Sequence, residues 1–340
     1  MGYFFYITGR CNLNCDYCWQ REKKERISES TRTGRNELTG EEWINVIKSI
    51  PRPSFVGLTG GEPLLHPDFK EIIRFLSGRL SYTINTNGIL LDDEMLENII
   101  KYKASNLSIS LDGFADVHDL SRKRPGLFDL LVKRIDRLNV LKGKKRFKKP
   151  SLTIKTVLLD PVVDQLDEFY RYCDEVLKAD CLNISVMKTL EHAQFDFRTY
   201  DSLNEIKMVG EPACFNYREA DRIPEALINL LKISENRRCK VLFYPRMFDK
   251  SAVDLLFRSH GRGIFAPCYI PWSTVMILAN GDIIPCLSLN IANIRDMNYN
   301  VRRISGLERY QKFLKWRNTA NRTKVSPPEC NMCCFSAVKT

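Results

Sequence analysis

From residue 3 to about residue 190 the chain alternates between two hydrophobic periods, and that alternation leaves few folds open. Segments 3–8, 55–59, 82–85, 107–111, 152–159 and 182–187 are short runs rich in aromatic and β-branched residues, which predicts strands. Between them, 39–50, 67–76, 92–102, 127–141 and 162–177 repeat apolar residues at three- and four-residue steps, which predicts helices. Thr39-Gly40-Glu41-Glu42 has the form of a capping box, Trp43, Val46, Ile47 and Ile50 follow on one face, and Pro51 and Pro53 stop the helix. Strands separated by helices must cross over, so they pair in parallel with the helices outside. Six such units predict an α/β fold, as a barrel or an open sheet, with function gathered at the C-terminal ends of the strands.

After Thr189 the pattern breaks. Residues 190–265 read as short helices and loops, 274–278 and 283–285 as a hairpin turning at Asn280-Gly281, and 307–317 as an amphipathic helix. The expected division is 1–190, a connecting and substrate-facing segment 191–262, and a small C-terminal unit 263–340.

The N-terminus has no signal-peptide layout and no apolar run approaches the roughly 18 residues of a membrane span, so a cytoplasmic protein without a membrane partner is expected. In that reducing setting, twelve cysteines point to a metal, a cluster or a catalytic thiol rather than to disulfides. The formal charge of +11 favours anionic partners. Much of it sits in the run 142–149, which reads as a solvated connecting loop.

Cys11, Cys15 and Cys18 follow directly on the first strand. Three thiolates on one short loop can hold three irons of a cube-shaped cluster and leave the fourth iron open. Zinc usually takes paired Cys-x2-Cys knuckles and a fourth ligand, which this spacing fits poorly. At the next strand ends stand Gly60-Gly61-Glu62-Pro63, Thr86-Asn87-Gly88, and Ser110-Leu111-Asp112-Gly113 with His118, Asp119 and Arg122 beyond it. Near the C-terminus, Cys268 and Cys286 flank the hairpin and Cys330-x2-Cys333 closes the set, with Cys334 as the alternative to Cys333. Four thiolates suit an iron–sulfur cluster or a structural zinc.

These motifs, in this order, resemble those of the radical S-adenosylmethionine (SAM) enzymes. CNLNCDYC resembles the family's CxxxCxΦC signature, with Tyr17 in the aromatic position. The resemblance implies a partial (β/α)6 TIM-like barrel over roughly residues 3–190. It implies that Cys11, Cys15 and Cys18 ligate a 4Fe–4S cluster whose open iron chelates SAM. Gly60, Gly61, Glu62 and Pro63 would then hold the methionine amino group, and Thr86 and Asn87 would close strand three. Ser110 would face the ribose, Arg122 the carboxylate, and Met187 would line the adenine pocket. One-electron reduction of SAM would give a 5′-deoxyadenosyl radical able to take hydrogen from an unactivated carbon. The resemblance implies a reductant of the reduced flavodoxin or ferredoxin type.

The C-terminal set resembles the extension called SPASM in full form and twitch in short form, a hairpin-plus-helix unit. On that resemblance Cys268, Cys286, Cys330 and Cys333 ligate one auxiliary 4Fe–4S cluster that accepts an electron from a substrate radical. The spacing resembles that of a family dehydrogenase acting on a secondary alcohol. The first expectation is therefore an oxidoreductase acting on a small polar metabolite or sugar. With the barrel beginning at residue 3, it leaves no room for the leader-binding domain of peptide-modifying relatives. The alternative is a peptide maturase. RNA modification, motivated by the basic run, ranks behind both, and a zinc-binding interaction protein is the non-enzymatic reading. Cys173, Cys181 and Cys239 read as buried small apolar thiols, and Cys214 as a candidate hydrogen donor to a substrate radical.

Overall fold

The computed structural model describes residues 1–18, 36–144, 148–186, 217–218, 220–258, 267–286, 289–323 and 338. The alternation expected of the first half is present. Strands β1 (Gly2–Tyr6), β2 (Phe55–Thr59), β3 (Ser81–Thr86), β4 (Asn106–Ser110), β5 (Ser151–Leu158) and β6 (Cys181–Val186) pair in parallel, each with the next in sequence. Helices α1 (Gly40–Ser49), α2 (Phe69–Leu76), α3 (Asp93–Lys101), α4 (Ala115–Arg122), α5 (Leu127–Lys144) and α6 (Asp160–Glu175) fill the crossovers. Leu107 and Ile109, Leu152 and Ile154, and Leu182 and Ile184 are fully buried on the outward face, where the helices pack. Capping follows the sequence: the Thr39 hydroxyl accepts from the Glu42 amide while the Glu42 carboxylate accepts from the Thr39 amide.

The sheet extends beyond the six units on both sides. In the segment expected to hold only short helices and loops, helix α7 (Arg222–Ser234) leads into β7 (Lys240–Tyr244), a further parallel strand beside β6. The C-terminal hairpin also joins the same sheet. Strand β8 (Thr274–Ile277) pairs parallel to β1, β9 (Asp282–Ile284) turns back on it, and β10 (Ala292–Asn293) completes the order β10-β9-β8-β1-β2-β3-β4-β5-β6-β7. The first and last strands are edges, so the barrel is partial.

A second tie holds the hairpin unit to the barrel. Arg295 meets both oxygens of Glu42, at 2.6 and 3.0 Å, and the Tyr299 hydroxyl donates to the same carboxylate at 2.8 Å. The Arg295 hydrogen bonds hold the Glu42 carboxyl down at about 2. One carboxylate thus caps a helix and anchors the C-terminal unit. Among the described residues no helix is long and apolar enough to cross a membrane.

Candidate active site

The C-terminal ends of β1 to β4 carry the motifs, and the loops after β1 and β2 are laced together. The Gly61 amide donates to the Thr8 carbonyl and the Glu62 amide to the Arg10 carbonyl, both at 2.8 Å. Their closeness explains the two glycines. A Cβ on Gly60, where φ is +142°, would stand 2.3 Å from the Thr8 carbonyl oxygen. A Cβ on Gly61 would stand 2.3 Å from that of Arg10. The glycine pair therefore fixes the cysteine loop itself, whatever it also does for a ligand. Pro63 is buried and opens a short 3-10 turn, Pro63–Leu65, where its missing N–H costs nothing.

Within the loop, Cys15 is buried while Cys11 and Cys18 are half-buried. The Cys18 amide closes a turn onto the Cys15 carbonyl at 3.2 Å, and the Asp16 amide donates to the Ser121 carbonyl at 3.2 Å. The side-chain amide of Asn87 donates to Asn12 Oδ1 at 2.7 Å and lies 4.0 Å from the Cys11 sulfur. Burial pushes the Cys15 thiol up to about 11, against the pull of Arg122. A free thiol there would stay protonated, and coordination to iron would supply the charge that makes it a thiolate.

Glu62 is fully buried and links the turn after β2 to the end of β3. Its Oε1 accepts from the Thr86 hydroxyl at 2.7 Å and the Leu64 amide at 3.1 Å, and its Oε2 from the Asn87 amide at 2.7 Å. Burial raises its carboxyl to about 7 despite these donors.

Asp112, within the Ser110–Gly113 motif, is the hub of the site. Its Oδ2 accepts from Arg122 Nε at 2.8 Å and from the Tyr17 hydroxyl, and its Oδ1 from the Val157 amide at 2.9 Å. Its own amide donates to His118 Nδ1 at 2.9 Å. The Arg122 guanidinium also lies over the Tyr17 ring, 5.8 Å from its centroid. Burial and the neighbouring Asp112 carboxylate keep Tyr17 protonated. Burial, then the Arg122 charge, lowers His118 to about 4, so the ring is neutral and Nδ1 is free to accept. Helix α4, absent from the sequence reading, makes this cluster by folding His118 and Arg122 back onto the end of β4.

The structure therefore brings together Cys11, Cys15, Cys18, Tyr17, Gly60, Gly61, Glu62, Pro63, Thr86, Asn87 and Arg122. Ser110 ends β4 nearby, half-buried. Met187, Cys214, Cys330, Cys333 and Cys334 lie outside the described residues. Of the auxiliary set, Cys268 and Cys286 are half-buried, one ahead of β8 and one just after β9, both on the side of the antiparallel hairpin away from its turn. Asn321 clamps the Cys268 backbone from both sides, accepting its N–H at 3.0 Å and donating to its carbonyl at 3.0 Å. Gly281 turns the hairpin at φ +88°.

Among the described residues no three His, Cys, Asp or Glu side chains converge on a single metal-ion position. A cubane asks for something else: one thiolate per iron, from sulfurs that stand apart around the cluster. Cys11, Cys15 and Cys18 on one tight loop, with an amide donor beside Cys11, supply a donor set of that chemistry.

Comparison with known proteins agrees with this geometry. The family model of the radical SAM superfamily matches residues 5–173, and that of an iron–sulfur cluster-binding domain, SPASM, matches 268–334. An AdoMet-dependent heme synthase of Methanosarcina barkeri is 36% identical over 135 residues, 38% of this chain and 36% of its own. A PqqA peptide cyclase of Granulibacter bethesdensis is 32% identical over 129 residues, 37% of this chain and 32% of its own. These matches span about a third of those relatives' length. The fold is similar to that of Streptococcus suis SuiB bound to its precursor peptide SuiA, with a TM-score of 0.59 at 17% identity over 98% of this chain and 70% of that one.

Proposed function

The chain belongs to the radical SAM superfamily and carries an iron–sulfur cluster-binding SPASM domain, and from that premise we propose that it modifies a peptide. The observation that carries this reading is the pairing of the barrel with a C-terminal cysteine unit, seen also in relatives whose names state peptide cyclisation or a bound precursor peptide. This places the peptide maturase ahead of the small-metabolite oxidoreductase that the spacing suggested.

A reduced 4Fe–4S cluster with bound SAM supplies the chemistry, a radical strong enough to take a hydrogen from an unactivated C–H bond. The protein's part is to hold, orient and exclude water. Cys11, Cys15 and Cys18 would hold the first cluster, and Cys268 and Cys286, with the cysteines beyond residue 323, an auxiliary one. Glu62 ties the turn after β2 to the end of β3, so the surface offered to SAM is fixed before it binds. Asp112 does the same for Tyr17 and Arg122. Both ties are internally hydrogen-bonded, so little reorganisation is needed on binding. An oxidising auxiliary cluster would favour a product two electrons more oxidised than the substrate.

The experiment is anaerobic incubation of the reconstituted full chain with SAM, reductant and short peptides encoded beside its gene, followed by mass spectrometry. Peptide products, such as species lighter by two hydrogens, formed together with 5′-deoxyadenosine support the reading. Modification confined to sugars or aminocyclitols offered in parallel would replace it with the oxidoreductase.

A further inference from the structure

The turn that leads from β1 into Cys11 is held from two sides. On one side the Thr8 and Arg10 carbonyls accept from the Gly61 and Glu62 amides. On the other stands Glu37. The Gly9 amide donates to Glu37 Oε1 at 2.6 Å, and the Thr8 hydroxyl donates to Oε2 at 2.9 Å. The Thr8 hydroxyl oxygen in turn accepts from the Arg10 amide at 3.2 Å, and Arg10 Nε lies 3.6 Å from Glu37 Oε2. One carboxylate thus takes up the donors of residues 8 and 9 directly, and orients Thr8 to take up that of residue 10. Hydrogen bonds to an ionised acceptor are the stronger kind, and a carboxylate can accept several at once.

Glu37 does not fix its own position. Leu38 beside it is buried, its amide donates to the Ala279 carbonyl at 2.7 Å, and its carbonyl accepts from His66 Nε2 at 3.1 Å. The carbonyls of Asn36 and Glu37 accept from Arg295, from Nη1 at 3.0 Å and Nη2 at 3.3 Å. The same guanidinium donates to the Asn280 carbonyl at 3.1 Å. An exposed connection could satisfy these backbone groups with water; here the C-terminal unit satisfies them. Residues 36–38 are therefore a bridge. Their backbone is held by the hairpin turn and Arg295, and the Glu37 side chain holds the entry to the cysteine loop.

We propose that Glu37 is a positioning residue for the first cluster, and that the C-terminal unit acts on that cluster through it. Arg295 and Ala279 set where Glu37 stands, and Glu37 sets the course of residues 8–10 into Cys11. A change confined to the C-terminal unit, far along the chain from Cys11 and at none of the cysteines, then alters how the first cluster is presented to SAM. Glu37 and Arg295 touch no reacting atom. The proposal rests on the SAM-binding cluster of the superfamily and is independent of whether the substrate is a peptide.

Electron paramagnetic resonance tests this without turnover. The reconstituted, reduced full chain is titrated with SAM, and the spectrum of Cys11→Ala is subtracted to leave the signal of the first cluster. Arg295→Lys exchanges a five-donor fork for a point donor that cannot serve three carbonyls and Glu42 together. Glu37→Leu and Arg295→Lys should each change the shape of that signal and weaken SAM binding about tenfold. Glu37→Gln keeps an acceptor for the Gly9 amide and should recover most of the loss. The double variant Glu37→Leu with Arg295→Lys should be no weaker than the weaker single, because both act through one segment. Tyr299→Phe removes the other tie to Glu42 and leaves residues 36–38 in place, so it should keep the wild-type signal. A wild-type signal and SAM affinity in Arg295→Lys, additive losses in the double variant, or an equal change in Tyr299→Phe overturns the proposal. Hydrogen exchange on the wild-type chain keeps it testable should a variant fail to fold. The Gly9 and Leu38 amides should open together as one unit, and a Gly9 amide exchanging about tenfold faster than that of Leu38 would overturn the coupling.

Discussion

Arg122 Nε lies 2.8 Å from Asp112 Oδ2, with the aspartate wholly out of solvent and the arginine nearly so. An ion pair in this position is costly to break from one side. Asp112→Asn leaves the guanidinium buried without its counter-charge, and the expected loss is about 3–5 kcal/mol. Arg122→Met in the same chain should recover part of that loss, since the double variant buries no charge. Urea unfolding of the two variants checks the sign of the coupling.

Two buried groups titrate in opposition. Glu62 is raised from 4.5 to about 7, so its contribution is fully present below the unfolded value and is lost as pH rises through 7. His118 is lowered from 6.5 to about 4, so its contribution is present above 6.5 and is lost as pH falls through 4. Each is worth roughly 3 kcal/mol and the windows overlap, so they nearly cancel between pH 4.5 and 6.5. His118→Asn keeps an acceptor for the Asp112 amide and removes one side of the balance. Its stability relative to wild type should increase as pH falls from 7 to 5, read from denaturation midpoints.

Gly61→Ala drives a methyl group toward the Arg10 carbonyl and should loosen the cysteine loop at a cost of about 1–3 kcal/mol. Gly143, on α5, has nothing within 4 Å of a Cβ, so Gly143→Ala is the control and should stabilise by about 0.5–1 kcal/mol. Iron and sulfide per chain after reconstitution should fall for the first variant only.

The strands and helices of the barrel were legible because their apolar residues recur with two clean periods. What escaped had a physical reason in each case. Strand β7 buries only Phe243 below one-tenth exposure, so Lys240–Tyr244 gives no alternation to read. Helix α4 buries His118 and Arg122 alongside Val117, and polar residues on a buried face erase the apolar stripe. The hub role of Asp112 follows from side chains ten and ninety-five positions away, which no local pattern encodes. The cysteine spacings, by contrast, were readable directly, since ligand chemistry restricts residue type as well as position.

At the other terminus, Asn321→Ala removes both hydrogen bonds from the Cys268 backbone. The loss should be about 1–3 kcal/mol, concentrated in the hairpin unit. Iron content should fall toward that of Cys268→Ser, while cleavage of SAM persists in both, as measured by 5′-deoxyadenosine formation.

The most direct test of the central claim is SAM cleavage by the Cys11→Ala variant. Under anaerobic conditions with excess reductant, the wild-type chain should convert SAM to 5′-deoxyadenosine and methionine. Cys11→Ala should form neither, while retaining the iron bound by the C-terminal cysteines. Cleavage continuing at the wild-type rate in Cys11→Ala would contradict the assignment of the open-iron cluster to Cys11, Cys15 and Cys18.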